Sequence, residues 1–123
     1  MRRQATEQLK LLDSILLPSS NPIRALLGRT NREQIYLNKA NSGNVLAQFA
    51  CGVYYLSVGN LDGAIYWFCV AEHNDFEDAT TYLDQIAAAY PDSADQIDTC
   101  RAEVEANPVR QETMAEIIAR LPG

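Results

Sequence analysis

Histidine and tryptophan each occur once, at His73 and Trp67, and cysteine three times, at Cys51, Cys69 and Cys100. No C-x-x-C pair is present, and the histidine and three cysteines cannot be combined into a zinc set at ordinary ligand spacing. Three scattered cysteines, an odd number, read as core thiols in a reducing, cytoplasmic setting, since cysteine is among the most buried residue types. Long apolar runs are missing too: none approaches the ~20 residues that a membrane span needs. The basic opening, MRRQATEQLKLLDSILL, is interrupted by Gln8, Lys10, Asp13 and Ser14. It therefore reads as an amphipathic helix and not as a signal peptide. Sustained period-two alternation is also lacking, which argues against strands. There is no G-x-S-x-G, no phosphate-binding glycine loop and no H-E-x-x-H, which removes the common enzymatic signatures.

A chain of 123 residues suits one domain, and 47% hydrophobic with 21% charged residues is an ordinary globular composition rather than a disordered one. The net charge of −6 conceals a split. Residues 1–40 carry seven Lys/Arg against three Asp/Glu, and residues 41–123 carry three against thirteen. Such a division suits electrostatic docking within or between molecules. It disfavours nucleic acid as the main partner, because the acidic part repels phosphate and the basic part has no interleaved aromatics.

Helical signals run along the whole chain. Residues 2–17 place Ala5, Leu9, Leu12 and Leu16 on one stripe, with Pro18 as the stop. A short helix is expected from Pro22 to Gly28. Thr30, with Glu33 three residues on, opens a helix that ends at Ser42-Gly43. Asn44 caps a helix over residues 45–57, Asp62 opens one over residues 63–73, and Asp75 caps one over residues 76–90. Asp92 or Ser93 starts a helix carrying Ile97, Cys100 and Val104, and Asn107-Pro108 introduces a last one with Met114, Ile117, Ile118 and Leu121 on one face. The linkers are short, which favours antiparallel neighbours. The expected fold is all-α, with roughly seven or eight helices: an extension over residues 1–29, a core over 30–106 and a capping helix over 107–121.

Two similar joints recur, Ala40 with Ser42-Gly43-Asn44 and Ala47, and Ala71 with His73-Asn74-Asp75 and Ala79, offset by one helix-turn-helix unit of 31 or 32 residues. Gly52 and Ala64 supply small side chains for a close helix crossing, and Tyr55, Trp67 and Phe68 fill the space beside it. The spacing of Cys51-Gly52, Tyr55, Ala64, Phe68 and Ala71 resembles the L-G, Y, A, F and A pattern of tetratricopeptide repeats. The joint from Ala40 to Gln48 and the pair Trp67-Phe68 are similar to SEL-one-like repeats. Gln48 stands where the tetratricopeptide pattern has tryptophan, and Cys51 where it has leucine. The segment ATTYLDQIAAAYPDSADQI resembles a second tetratricopeptide helix with its proline linker, half a repeat out of phase with the SEL-one-like reading. The resemblance implies stacked antiparallel helix hairpins, a short α-solenoid, with Gly52, Tyr55, Ala64, Trp67, Phe68 and Ala71 as framework residues.

Six of the ten aromatics lie between Ala47 and His73, and these framework positions account for the density by packing, not catalysis. Cys69 and His73 share a helical face, but without a supporting motif they read as a core thiol beside a surface histidine. The carboxylate pairs Glu77/Asp78 and Glu103/Glu105 read as solvated. Residues 45–57 are apolar around the whole helix, which demands cover on every side. In tetratricopeptide relatives the first helices line a concave groove, and position by position this implies Leu46, Phe49, Val53 and Leu56 as a partner-binding face. The cover is either one of the chain's own amphipathic ends or another protein's helix or peptide. The expected function is a non-enzymatic adaptor or chaperone with no cofactor or metal. By size and architecture it resembles small chaperones that hold components of bacterial secretion machines. Two alternatives stand beside it: an inhibitor or immunity protein using the acidic surface from Asp75 to Asp98, and a structural homo-oligomer.

Overall fold

A computed structural model describes residues 1–17 and 32–107 of the chain. Among them are six α-helices and one 3₁₀ turn, with no strand. The helices expected at Pro22–Gly28 and beyond Asn107-Pro108 lie outside the described residues. The six are α1 (Arg2–Leu16), α2 (Arg32–Asn41), α3 (Val45–Ser57), α4 (Leu61–His73), α5 (Glu77–Ala89) and α6 (Ala94–Ala106), with the 3₁₀ turn Pro91–Ser93 leading into α6.

Three joints are built alike. Gly43, Gly59 and Asp75 are the left-handed residues, at φ of 100°, 82° and 68°, and they recur every 16 positions. At each joint the next amide closes back over the helix end: Asn44 N–H donates to Lys39 O at 3.0 Å, Asn60 N–H to Tyr55 O at 2.8 Å and Phe76 N–H to Ala71 O at 3.0 Å. This is the closure that satisfies the orphan carbonyls of a helix terminus. Asn44 and Asn60 then cap the following helices, their side chains accepting from the amides of Ala47 and Gly63 at 2.9 Å. Two sequence expectations change here. The cap of α4 is Asn60, not Asp62, so the helix starts two residues earlier. Asp75 does not cap α5; it takes the left-handed position at the end of α4, where a short polar side chain is tolerated, and α5 starts without a side-chain cap.

Packing centres on α3 and α4, which lie against each other as an antiparallel pair. The bare surface of Gly52 lies under the Phe68 ring, so close that an added Cβ would fall 2.5 Å from Phe68 Cδ1. Phe68 stacks on Tyr82 of α5 at 4.8 Å and is tilted against Phe49 at 5.8 Å. Ala64, Trp67 and Ala71 are buried in the same core. The opposite sides of α3 are taken by α1 and α2. A helix apolar on all sides has thus found cover on all sides.

The last described helix does not continue the pairing of sequence neighbours. α6 packs chiefly against α4 and only slightly against α5. Its buried stripe is Ile97, Cys100 and Val104. Two polar contacts fix its register on α4: Arg101 Nε–H donates to Glu72 Oε1 at 2.8 Å, and Gln96 Nε2–H to Asp62 Oδ1 at 2.6 Å. The Pro91–Ser93 turn redirects the chain, Ser93 N–H donating to Tyr90 O at 2.8 Å.

Candidate helix-binding seat

The four residues expected to line a groove are not open to solvent. Phe49, Val53 and Leu56 are 1%, 0% and 3% exposed, and Leu46 is half-buried. Phe49 faces the seam between α4 and α5, stacked on Phe76 at 4.7 Å and edge-on to Tyr82 at 5.6 Å. It belongs to the aromatic core rather than to a docking face. The cover on the remaining side of α3 is the chain's own α1.

The seating of α1 follows from its sequence. Ala5, Leu9, Leu12 and Leu16, at i, i+4, i+7 and i+11, are all buried, giving a narrow apolar stripe that lies on α3. Polar contacts then fix it along its length. Near its start, Arg2 Nε–H donates to Ser57 O at 3.2 Å, at the far end of α3. In the middle, the Tyr82 hydroxyl of α5 donates to Gln8 Oε1. In its last turn, Asp13 meets Arg32 through Nη2 at 2.8 Å and accepts from the buried Tyr36 hydroxyl. Lys39 Nζ–H donates to Leu16 O at 2.7 Å, placing a cation at the negative end of the helix dipole.

Arg32, Tyr36 and Lys39 stand at i, i+4 and i+7 of α2, so one face of that helix forms a ledge that receives a carboxylate and a helix C-terminus. Burial, and after it the hydrogen bond to the Asp13 carboxylate, drives the Tyr36 hydroxyl far above its ordinary pKa. It is therefore a donor at any physiological pH. Arg32 Nε is buried and finds no partner among the described residues. Sequence reasoning picked out the apolar stripe but not this ledge: Asp13 and Tyr36 are 23 residues apart, and no local spacing links them.

Two further polar side chains, Tyr55 and Gln48, tie helices together. Tyr55 hydroxyl donates to Glu33 Oε1 at 2.7 Å and pins α2 to α3. Gln48, fully buried, donates to Ala40 O at 3.1 Å and accepts from Asn74 Nδ2 at 2.8 Å, joining α2, α3 and the end of α4. All three thiols are free and buried. Burial, then the charge of Glu33, pushes Cys51 up to about 12. Burial and the neighbouring Cys100 raise Cys69, and His73 is exposed at the helix end.

No protein-family model matches the chain, and neither the curated proteins nor the solved structures provide a match. Among the described residues, no group of three or more His, Cys, Asp and Glu side chains is placed to hold a metal ion, and no helix is long and apolar enough to cross a membrane.

Proposed function

We propose that this chain is a non-enzymatic helix-binding module, a short tetratricopeptide-like α-solenoid acting as an adaptor or chaperone, and that the seat of α1 is where a partner helix lies. The observation that carries the reading is the seating itself. An amphipathic helix, separated from α2 by residues 17–31, lies on the α3 face through one apolar stripe and is held at three levels by polar contacts with other helices. This is the helix-in-groove mode of recognition, with the helix supplied in cis. A partner helix replaces α1 when it offers the same stripe, and α1 protects the apolar face until then. The three buried thiols fit a cytoplasmic setting.

The test uses the full chain carrying Leu9→Asp and Leu12→Asp, which removes two central anchors from α1. A fluorescent peptide of residues 1–17 should bind this variant at least tenfold more tightly than it binds the unaltered chain, read by anisotropy. Far-UV circular dichroism should show the helical core retained. Absence of peptide binding to a folded variant would sink the reading.

A further inference from the structure

Resting on that reading, the contacts of α1 say which helices the seat accepts. An apolar stripe alone selects weakly, since leucines at helical spacing are common. The polar contacts are more selective, and they concentrate at one end. Arg32 and Tyr36 converge on a single carboxylate at the level between the third and fourth anchors, with Arg32 and Asp13 side chains 31% and 14% exposed. A bidentate-capable guanidinium and a buried hydroxyl favour a carboxylate over an amide or a cation at that point. The guanidinium also has a buried N–H left over among the described residues. Three residues on, Lys39 takes the last carbonyl of the bound helix, and the backbone of Leu17 is extended, so the helix ends there.

We infer that the Arg32–Tyr36–Lys39 ledge is a specificity site for partner helices that carry a carboxylate one residue after the third apolar anchor and terminate at the fourth. The partner class is thus an amphipathic helix with a small residue, then three large apolar residues at +4, +7 and +11, and an acidic residue at +8. It runs in one direction only, its C-terminal end at α2. Helices with the same stripe but a neutral or basic residue at +8 are rejected, because they leave Arg32 and Tyr36 without an acceptor in a half-buried site. Charge complementarity supports the assignment: the ledge sets two cations, Arg32 and Lys39, against one carboxylate and the negative end of a helix.

Peptides of residues 1–17 test this on the full chain carrying Leu9→Asp and Leu12→Asp, with Leu9→Ala and Leu12→Ala as a milder host should the first be poorly folded. An Asp13→Asn substitution in the peptide should weaken binding by about tenfold to a hundredfold, the range expected for hydrogen bonds to a charged group. Tyr36→Phe in the host should weaken binding of the unaltered peptide and leave that of the Asp13→Asn peptide unchanged. A peptide with Asp13→Arg should bind a host with Arg32→Glu at least tenfold better than the unaltered peptide does. Equal binding of the unaltered and Asp13→Asn peptides, or no recovery in the reversed pair, overturns the ledge as a specificity site while leaving helix binding intact. If no peptide binds either host, helix binding itself is wrong, and the ledge with it.

Discussion

Substitution of Gly52 by Ala pits two effects of opposite sign against each other. In a helix interior, Gly→Ala is normally stabilising by about 1 kcal/mol, because alanine has less backbone freedom to lose. At this position the new methyl would sit 2.5, 2.6 and 2.9 Å from Phe68 Cδ1, Cε1 and Cγ. Phe68 is fully buried, with Tyr82 stacked on it at 4.8 Å and Phe49 at 5.8 Å, so the ring has no free direction. Overpacking of a close-packed core costs about 1–3 kcal/mol, and contacts this short belong at the upper end of that range. The net expectation is a loss of about 2 kcal/mol, or a fall in Tm of roughly 6–10 °C for a domain of this size. Thermal and urea unfolding followed by circular dichroism would measure it. Adding Phe68→Leu should recover part of the loss, since the smaller side chain vacates the clash. A Gly52→Ala protein more stable than the parent would show that helix propensity wins and that Phe68 does not close over Gly52.

Gln48→Ala should destabilise by about 1–3 kcal/mol, because it withdraws both partners that the buried amide gives to Ala40 and Asn74; a urea midpoint unchanged from the parent would refute this. Burial alone would raise the Glu72 carboxyl, but hydrogen bonds from Arg101 and Thr80 outweigh it and hold its pKa below the ordinary value. Its folded pKa is depressed, so its contribution is present above the unfolded value of about 4.3 and is lost as pH falls through the folded one. Glu72→Gln should therefore lose stability at neutral pH and show a shallower acid-side decline than the parent. A thiol reagent at pH 8 should leave Cys51, Cys69 and Cys100 unmodified in the native protein and label all three in denaturant, since burial both hides them and raises their pKa values. Rapid native labelling would contradict the packing.

The helices were legible in the sequence because their ends are written in local chemistry. Gly43 and Asn44 announce a stop and a start within two residues, and the stripe Ala5, Leu9, Leu12, Leu16 has an unmistakable period. The all-apolar circumference of α3 likewise declared that something must cover it. Asp62 and Asp75 misled because an aspartate near a helix start looks like a cap; Asn60 stands at the right distance for the Gly63 amide, and Asp75 is needed one position earlier to reverse the chain. The docking of α6 onto α4 depends on Arg101 reaching Glu72, 29 residues away, and no short-range pattern encodes such a pair. The ledge of Arg32, Tyr36 and Lys39 was hidden for the same reason: it becomes a site only when α1 is laid across it.

The regular recurrence of left-handed residues at 43, 59 and 75 has a consequence for how this chain can change length. α3, α4 and α5 are each 13 residues long with a three-residue joint between them. Loss of one residue inside any of them would shorten it by about 1.5 Å and turn everything beyond by about 100°, carrying buried side chains to the outside. Insertions and deletions are therefore expected to be tolerated only as whole steps of 32, which preserve phase, length and chain direction, or at the corner before α6, where the connection is already one residue longer. Duplication of a helix pair with its two joints is therefore the natural unit by which such a protein lengthens.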